Sequence, residues 1–408
     1  MKSDSFLILT FTVMIGYDYF ARSIGFVIPG IKYLLILFFI FYFTLANKIH
    51  LNKYVLYNLI ALNFYVFINF IISNYTNGFS FLVTYFQMFL FVIVFIISSN
   101  VRIGFERIQK ILHSFVLILL VCTLPGVIES FLNFETLRYN FGFFRGPGTM
   151  GSLLLLGLIF ISYLLFINFT KKLKYLFYLF VLLILMTAIK KAIISVVILL
   201  FIIFCFDKML LKKLFSPLLI MASIPFVYLA SFEVINGIVD NSIYFNNVGI
   251  EDHVRLTMYI NAYNININSF PFGTGLGTFG TLGSMMDGSF ISTGDYKLNA
   301  VYGDYNLLNL GGLGQDQIND VDGKNVYLDT WIPGLITELG ILGFLLYLSL
   351  LKSLSSLFTD VSTSFLFFSV VIIRHWEGLL GPTPVQPEFI FIPWVVLGLL
   401  FSRSKHER

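Results

Sequence analysis

Residues 151–186 read GSLLLLGLIFISYLLFINFTKKLKYLFYLFVLLILM, two long apolar runs separated by the basic break KKLK (171–174). Each run approaches the ~20 residues that an α-helix needs to cross a hydrocarbon core ~30 Å thick. The same pattern recurs along the chain, which is 58% apolar and only 12% charged. Soluble domains carry about 25% charged residues. The sequence therefore predicts an all-α, polytopic membrane protein.

Apolar blocks of this kind occur about twelve times, and each is predicted to be a transmembrane helix. They divide the chain into a nine-helix part (1–232), a long polar loop (233–332), and a three-helix part with a tail (333–408). The predicted spans are 5–22, 30–47, 54–73, 80–98, 111–128, 148–169, 174–189, 191–206, 214–232, 333–352, 361–375 and 388–402.

The basic residues of the short connections predict the orientation of these spans. Four segments are strongly basic: VRIGFERIQK (101–110), KKLK (171–174), DKMLLKK (207–213) and the tail RSKHER (403–408). Because Lys and Arg are enriched in cytoplasmic loops, these segments are expected inside the cell. We therefore expect a multi-pass membrane protein with both termini in the cytoplasm.

The loop 233–332 contains no apolar block long enough to cross a membrane, and the predicted orientation places it outside. Loops this long within a compact protein are usually functional or disordered. Aromatic and aliphatic residues occur throughout the loop, so a folded external cap is expected. Its segment EDHVRLTMYINAYNIN (251–266) has a polar and an apolar side at helical spacing, and it is predicted to lie along the membrane surface.

The segment PFGTGLGTFG (271–280) contains Gly275, Gly277 and Gly280 at the G-x-G-x-x-G spacing of a dinucleotide-binding loop. That fingerprint needs a strand before it, a helix after it and an acidic residue about twenty positions on. Here it follows an amphipathic segment and leads into a Gly- and Ser-rich loop. The context favours the other interpretation, in which the glycines allow a tight turn and a close approach to another surface.

Four basic residues map to the outer end of the bundle, against the positive-inside trend. Arg145 precedes the sixth span, Lys190 and Lys191 form a tight external hairpin, and Arg255 opens the amphipathic segment. Each could be a snorkelling side chain or a partner of a loop acid. Together they predict a cationic site for an anionic ligand, since Arg and Lys donate charge-assisted hydrogen bonds to phosphate oxygens.

Acidic and mixed polar groups lie near the same end. Asp329 is at the end of the long loop, and Glu338 lies about two turns into the tenth span. A carboxylate inside a span indicates a functional site by default, although pairing with a cation is the alternative. The stretch RHWEG (374–378) ends the eleventh span. Its ionisable residues could titrate, coordinate a ligand or simply pair with opposite charges; they are Arg374, His375 and Glu377.

Several motifs are absent from the sequence. It has no Walker A loop, no HExxH, no nucleophile elbow and no paired metal-ligand histidines, and its five histidines are scattered. We therefore expect neither a metal ion nor a bound cofactor, and no nucleic-acid partner.

Four segments, taken in order, resemble the O-antigen ligase/polymerase superfamily of bacterial membrane proteins. Each motif is weak by itself, whereas their order, the span count and the single long loop are more specific. The segments are FRGPGTMGSLLLLGL (144–158), AIKKAII (188–194), VRLTMYINAYNININSFPFGTGLGTFG (254–280) and NVYLDTWIPGLITELGILGF (325–344).

The resemblance implies a helical glycosyltransferase fold of the C type that needs neither a metal nor a nucleotide sugar. The expected reaction joins undecaprenyl-diphosphate-linked oligosaccharide repeat units on the outer face of the bacterial plasma (inner) membrane. The diphosphate leaving group would be stabilised by Arg145, Arg255, Lys190 and Lys191. An acceptor hydroxyl would be oriented or deprotonated by Asp329 or Glu338. The catalytic candidates are thus Asp329, Glu338 and Arg255. Arg374, His375 and Glu377 are further candidates.

Two departures from the ligase pattern favour a polymerase of O-antigen or capsular repeat units. Asp329 stands where ligases of the superfamily carry a histidine, and Lys190-Lys191 replaces a Ser-Arg pair. A ligase with a different acceptor and a lipid-linked oligosaccharide flippase or other transporter remain alternatives. Besides the lipid bilayer and the lipid-linked glycan, the resemblance implies a chain-length regulator and a flippase as partners.

Overall fold

The computed structural model describes residues 3–24, 31–73, 78–133, 142–144, 147–187, 189–214, 262–263, 266–267, 269–277, 331–380 and 386–406. Within these ranges the chain is all-helical and has no β-strand. Most of the predicted external loop 233–332, and therefore its predicted cap, lies outside the described residues.

A helix stands at the position of each predicted span except the ninth, 214–232, which from residue 215 onward lies outside the described residues. The helices are α1 (Ser3–Ile24), α2 (Ile31–Ala46), α3 (Lys53–Ile72), α4 (Gly78–Ser98), α5 (Phe105–Asn133), α6 (Pro147–Ile167), α7 (Lys171–Met186), α8 (Lys190–Phe206), α9 (Lys208–Leu214), α10 (Trp331–Ser355), α11 (Val361–Leu380) and α12 (Pro387–His406).

Among the described residues, five helices are long and apolar enough to cross a membrane. Two shorter apolar helices, Ser5–Tyr17 and Ile31–Ala46, accompany them. The prediction of a helical membrane protein is confirmed at this level, while the count of twelve crossings and the orientation of the termini stay predictions. The five helices are Lys53–Ile72, Phe81–Ser98, Phe105–Asn133, Gly148–Ile167 and Trp331–Ser355.

The helix α6 lies at the centre of the fold. In its apolar window 89% of the residues are buried, against 22% in α3. It packs against α5, α7, α8 and α11, while α12 packs mainly on α4 and α10 on α3. Large apolar side chains of α2 and α3, such as Phe41, Phe64 and Ile71, remain exposed. An exposed apolar surface of this kind suits contact with lipid.

Two basic connections are more helical than predicted. The DKMLLKK segment forms the short helix α9, because Asp207 Oδ1 accepts hydrogen bonds from the backbone N–H groups of Met209 (2.8 Å) and Leu210 (3.0 Å). The helix α5 begins at Phe105, where VRIGFERIQK was predicted as a break. Ile108 is fully buried there, so packing extends the helix past the predicted start of the span at 111.

Asp360 caps the first turn of α11. Its carboxylate accepts hydrogen bonds from Ser362 Oγ (2.7 Å), from the Thr363 N–H (2.9 Å) and from Thr363 Oγ1. Partial burial by itself would raise the pKa of this carboxyl, but the hydrogen bonds outweigh burial and hold the pKa below its usual value. The cap fixes where the chain enters α11, the helix that carries Arg374, His375 and Glu377.

Candidate functional site

The helix α10 is interrupted at Gly340, which has φ 64° and ψ 178°. The sequence predicted one continuous span over 333–352, so this is a correction. The physical reason is that a glycine adopts this left-handed conformation without the steric penalty of a Cβ. The helix therefore consists of two segments, one on each side of Gly340, and the carbonyls that precede the break need partners from elsewhere.

The segment 271–277 supplies those partners. The Thr274 N–H donates to Thr337 O at 3.0 Å. The next donor, the Gly275 N–H, reaches Glu338 O at 3.0 Å. In the opposite direction, the Leu342 N–H lies 3.4 Å from Pro271 O. The segment thus continues the hydrogen bonding that α10 loses at the break. Irregular backbone at membrane depth is tolerated only where protein or a water-filled cavity satisfies it.

The two chains approach closely because both carry a glycine at the contact. Gly273 has φ 76° and lies against Gly340. A Cβ built on Gly273 would come within 2.7 Å of Glu338 O, and one built on Gly340 would overlap the backbone of residues 271–273. This confirms the close-approach interpretation of the glycine-rich segment. Gly275 (φ 99°) and Gly277 (φ 86°) also adopt positive φ, whereas Gly280 lies outside the described residues.

Three polar side chains near the end of α3 hold the same segment. The Tyr65 hydroxyl lies 2.6 Å from Leu339 O and 2.9 Å from Phe272 O, and it can donate to one of them at a time. Asn69 Nδ2 donates to Phe272 O, and Ser73 Oγ donates to Thr274 O. We call this assembly of Tyr65, Asn69, Ser73, residues 271–277 and residues 337–340 the break cluster.

Glu338 lies inside the break cluster. Its side chain is fully buried, and its backbone carbonyl accepts from Gly275. Its neighbour Thr337 donates to Pro333 O (2.8 Å) and accepts from Asn266 Nδ2 (3.1 Å). The predicted site residue is therefore enclosed by protein and by the docked glycine-rich segment.

Arg374, near the end of α11, is surrounded by aromatic rings. Its guanidinium carbon lies 4.7 Å from the ring centre of Phe91, 5.2 Å from that of Trp331 and 5.7 Å from that of Trp394. Aromatic faces attract cations at such distances. The arginine thereby joins the second half of the bundle, α10 and α12, to α4.

His375 follows Arg374 and binds two groups. Its Nδ1 lies 2.6 Å from Val371 O, one turn earlier in α11, and its Nε2 lies 3.2 Å from the Tyr347 hydroxyl. Since a carbonyl only accepts, Nδ1 carries a hydrogen, and a neutral ring then accepts from Tyr347 at Nε2. The histidine is a link between α10 and α11.

Glu377 is buried where α6, α8 and α11 meet. Ser152 Oγ donates to its Oε1 at 2.6 Å, and the charge of Lys191 acts on the carboxylate. A cavity of about 30 Å³ is lined by Ser152, Arg374 and Glu377. That space is enough for water. We call Ser152, Lys191, Arg374 and Glu377 the charged cluster.

A second buried ionic contact lies near the starts of α2 and α12, where Lys32 pairs with Glu388. Sequence reasoning missed this pair. The only available signal was that both residues stand at the start of an apolar block, on the same predicted side, and nothing in the sequence indicates that α2 and α12 pack together.

The nine residues predicted for the site divide into four groups. Arg374 and Glu377 line the same cavity, Lys191 acts on Glu377 through its charge, and His375 follows Arg374 on α11. Glu338 lies in the break cluster, and Lys190 is exposed at the start of α8. Arg145, Arg255 and Asp329 lie outside the described residues. Sequence reasoning missed Ser152, Tyr65 and Asn69, since a lone serine, tyrosine or asparagine in an apolar helix carries no motif.

Among the described residues, no three His, Cys, Asp or Glu side chains lie close enough together to hold a metal ion. No family model matches the sequence, and no curated protein matches it. The resemblance of the sequence motifs to the O-antigen ligase/polymerase superfamily therefore stays a prediction.

Proposed function

We propose that this chain is a metal-independent membrane glycosyltransferase that polymerises undecaprenyl-diphosphate-linked repeat units into O-antigen or capsular polysaccharide. The observation that carries the proposal is the charged cluster. Arg374 and Glu377 line a cavity inside a mostly apolar helical bundle, and the charge of Lys191 acts on the Glu377 carboxylate. Ionisable groups placed inside an apolar bundle are costly and usually serve a function.

In the proposed reaction a hydroxyl of one repeat unit attacks the anomeric carbon of another. A new glycosidic C–O bond forms, and the bond between that carbon and the diphosphate breaks. The diphosphate leaves with the bonding electron pair, attached to its lipid. The hydroxyl proton passes to a carboxylate, for which Asp329 and Glu338 are the candidates.

The leaving group gains negative charge as the bond breaks, so cations arranged in advance supply the stabilisation. Lys191 and Lys190 are the described residues proposed for this role, and Arg145 and Arg255 are added from the sequence pattern. Glu377 is proposed as a positioning residue, because its carboxylate attracts Lys191 and is itself held by Ser152.

One observation favours a second candidate function, the flipping of lipid-linked oligosaccharides. Transporters commonly use interrupted transmembrane helices at their substrate sites, and α10 is interrupted at Gly340. A ligase of the same superfamily would share the architecture with the polymerase and differ in its acceptor. The proposed location is the bacterial plasma membrane, with the site on the outer face. A chain-length regulator and a flippase are the proposed partners of the polymerase.

Deletion of the gene in its native host, followed by profiling of the surface glycan, separates the three functions. A polymerase mutant displays surface glycan that is one repeat unit long. Unattached polymer with no surface glycan would instead identify a ligase. Accumulation of lipid-linked single repeats inside the cell would identify a flippase.

The role of Lys191 is tested by complementing the deletion strain with Lys191→Gln. We expect at least about tenfold less long-chain glycan at equal expression, since one preorganised donor is commonly worth that much or more. The matched control is Lys53→Gln, which removes an exposed lysine at the start of α3. Normal glycan length with Lys191→Gln would exclude this lysine from the site.

A further inference from the structure

An apolar groove lies between α5, α6 and α7, away from the charged cluster. Its lining includes His113, Leu117 and Leu120 of α5, Leu164 of α6, and Leu173 and Leu176 of α7. Ser152 of the charged cluster and Leu164 of the groove are separated along α6 by about 18 Å. The groove is therefore a separate feature, and what occupies it does not depend on the proposed function.

The groove is apolar and open to the surroundings of the bundle. Its volume is about 180 Å³. A dry cavity of roughly 150 Å³ is enough to bind benzene, so this space accommodates a segment of an acyl chain. Leu117, on its rim, is 61% exposed. An occupant can thus enter sideways from a lipid layer.

One end of the groove is basic. Lys110 lies one turn before His113 on α5, and Lys172 lies one turn before Leu176 on α7, so each shares a face with a groove residue. Both lysines are exposed, and neither forms an ion pair within the described part of the chain. Glu106 stands one turn before Lys110 and is the acidic residue near this end on α5.

His113 adds a polar group at the boundary between the basic end and the apolar wall. Its Nδ1 lies 2.7 Å from Gln109 O, so Nδ1 carries a hydrogen that is donated to this carbonyl. Its Nε2 is then the ring atom left to meet a ligand. The side chain is exposed.

We propose that this groove binds an anionic phospholipid of the leaflet at the basic end, which the positive-inside pattern predicts to be the cytoplasmic one. One acyl chain occupies the apolar wall of α5, α6 and α7. The phosphate of the headgroup lies between Lys110, Lys172 and His113. Basic pockets between transmembrane helices on the cytoplasmic side are suited to such headgroups.

Native mass spectrometry of the purified full chain tests this proposal. The detergent-solubilised protein is titrated with palmitoyl-oleoyl phosphatidylglycerol and, separately, with palmitoyl-oleoyl phosphatidylcholine. We expect tighter binding of phosphatidylglycerol, and about fivefold weaker binding for each of Lys110→Gln and Lys172→Gln, because one lysine near an anionic surface contributes about that factor. Lys53→Gln, at an exposed lysine of α3, is the charge control.

Leu117→Trp tests the apolar wall, because the larger ring fills the groove from its rim. Binding of phosphatidylglycerol should fall at least about fivefold. The control is Leu124→Trp, two turns further along the same face of α5, where Leu124 is 56% exposed. Equal binding of both lipids, or wild-type binding by both lysine variants, would overturn the proposal. Displacement of the bound lipid by soluble glycerol phosphate would overturn it too, since the site would then recognise a free phosphate.

Discussion

The ion pair between Lys32 and Glu388 joins the first turns of α2 and α12 inside the protein. Lys32 is 8% exposed and Glu388 3% exposed, so both charges have lost most of their water. Such a pair adds little net stability, but losing one partner leaves the other charge buried alone and is costly. Glu377 is also buried. Ser152 donates a hydrogen bond to its carboxylate, and the charge of Lys191 acts on the same group.

The cost of a single buried charge gives a prediction for the pair. Lys32→Met should lower the free energy of unfolding by about 3 kcal/mol, because the carboxylate of Glu388 loses its cation. The double variant Lys32→Met/Glu388→Leu should recover most of that loss, since no charge is left behind. Thermal unfolding in detergent measures both, with Lys53→Met as the exposed control. Equal destabilisation by the single and double variants would contradict this account of the pair.

At the scale of the secondary-structure element, α10 is the helix that contacts both the charged cluster and the break cluster. Trp331 at its start contacts Arg374, and Glu338 stands about 10 Å further along the helix. The break at Gly340 is covered by residues 271–277, which come from the long loop of the sequence. The helix thus connects the charged cluster to the break cluster and anchors part of the loop on α3.

Gly340→Ala should be strongly destabilising. The left-handed φ of 64° disfavours any Cβ, and the new atom would overlap the backbone of residues 271–273. We expect a loss of about 3 kcal/mol or more, or undocking of the segment. Limited proteolysis of the loop and thermal unfolding measure these outcomes.

The matched control is Gly78→Ala at the start of α4, where nothing lies within 4 Å of the added atom. Gly78→Ala should leave both the melting temperature and the proteolysis pattern unchanged. Indistinguishable behaviour of the Gly340 and Gly78 variants would contradict the close contact between Gly340 and the glycine-rich segment.

The cap of α11 gives a pH-dependent prediction. Asp360 has its pKa held below the usual value, so its stabilising effect is complete above the ordinary carboxyl range and is lost as pH falls through the lowered pKa. Asp360→Ala should cost about 1 kcal/mol at pH 7, whereas Asp360→Asn, which can still cap the helix, should cost less.

Melting temperatures measured between pH 7 and pH 3 check this sign. The difference between wild type and Asp360→Ala should shrink as the pH falls, because the wild-type cap loses its charge. A difference that stays constant over this range would show that the carboxylate charge contributes nothing to the cap.

At the scale of the whole molecule, length and hydropathy were enough to predict a helical membrane protein and the positions of the described helices other than α9. This succeeded because apolar runs near membrane length have few other stable forms. The break at Gly340 was not predictable in the same way. One glycine in an apolar run is compatible with a continuous helix, and only the contact with Gly273 shows why α10 is interrupted there.

The candidate site was predictable in part for a similar reason. Charges in apolar helices are rare, so Lys191, Glu338, Arg374 and Glu377 stand out in the sequence. Their partners do not, because Ser152 and the aromatic rings around Arg374 are ordinary residues of buried helices. Which charge meets which partner depends on how α6, α8, α10 and α11 pack.

The central claim is that the chain itself forms glycosidic bonds. The most direct measurement uses the purified protein in liposomes with undecaprenyl-diphosphate-linked repeat units isolated from the native host. The account predicts glycans longer than one repeat and the release of one undecaprenyl diphosphate for each linkage formed. It also predicts a large loss of both products with Lys191→Gln. Intact protein that leaves the substrates as single repeats, or only moves them across the bilayer, would contradict it.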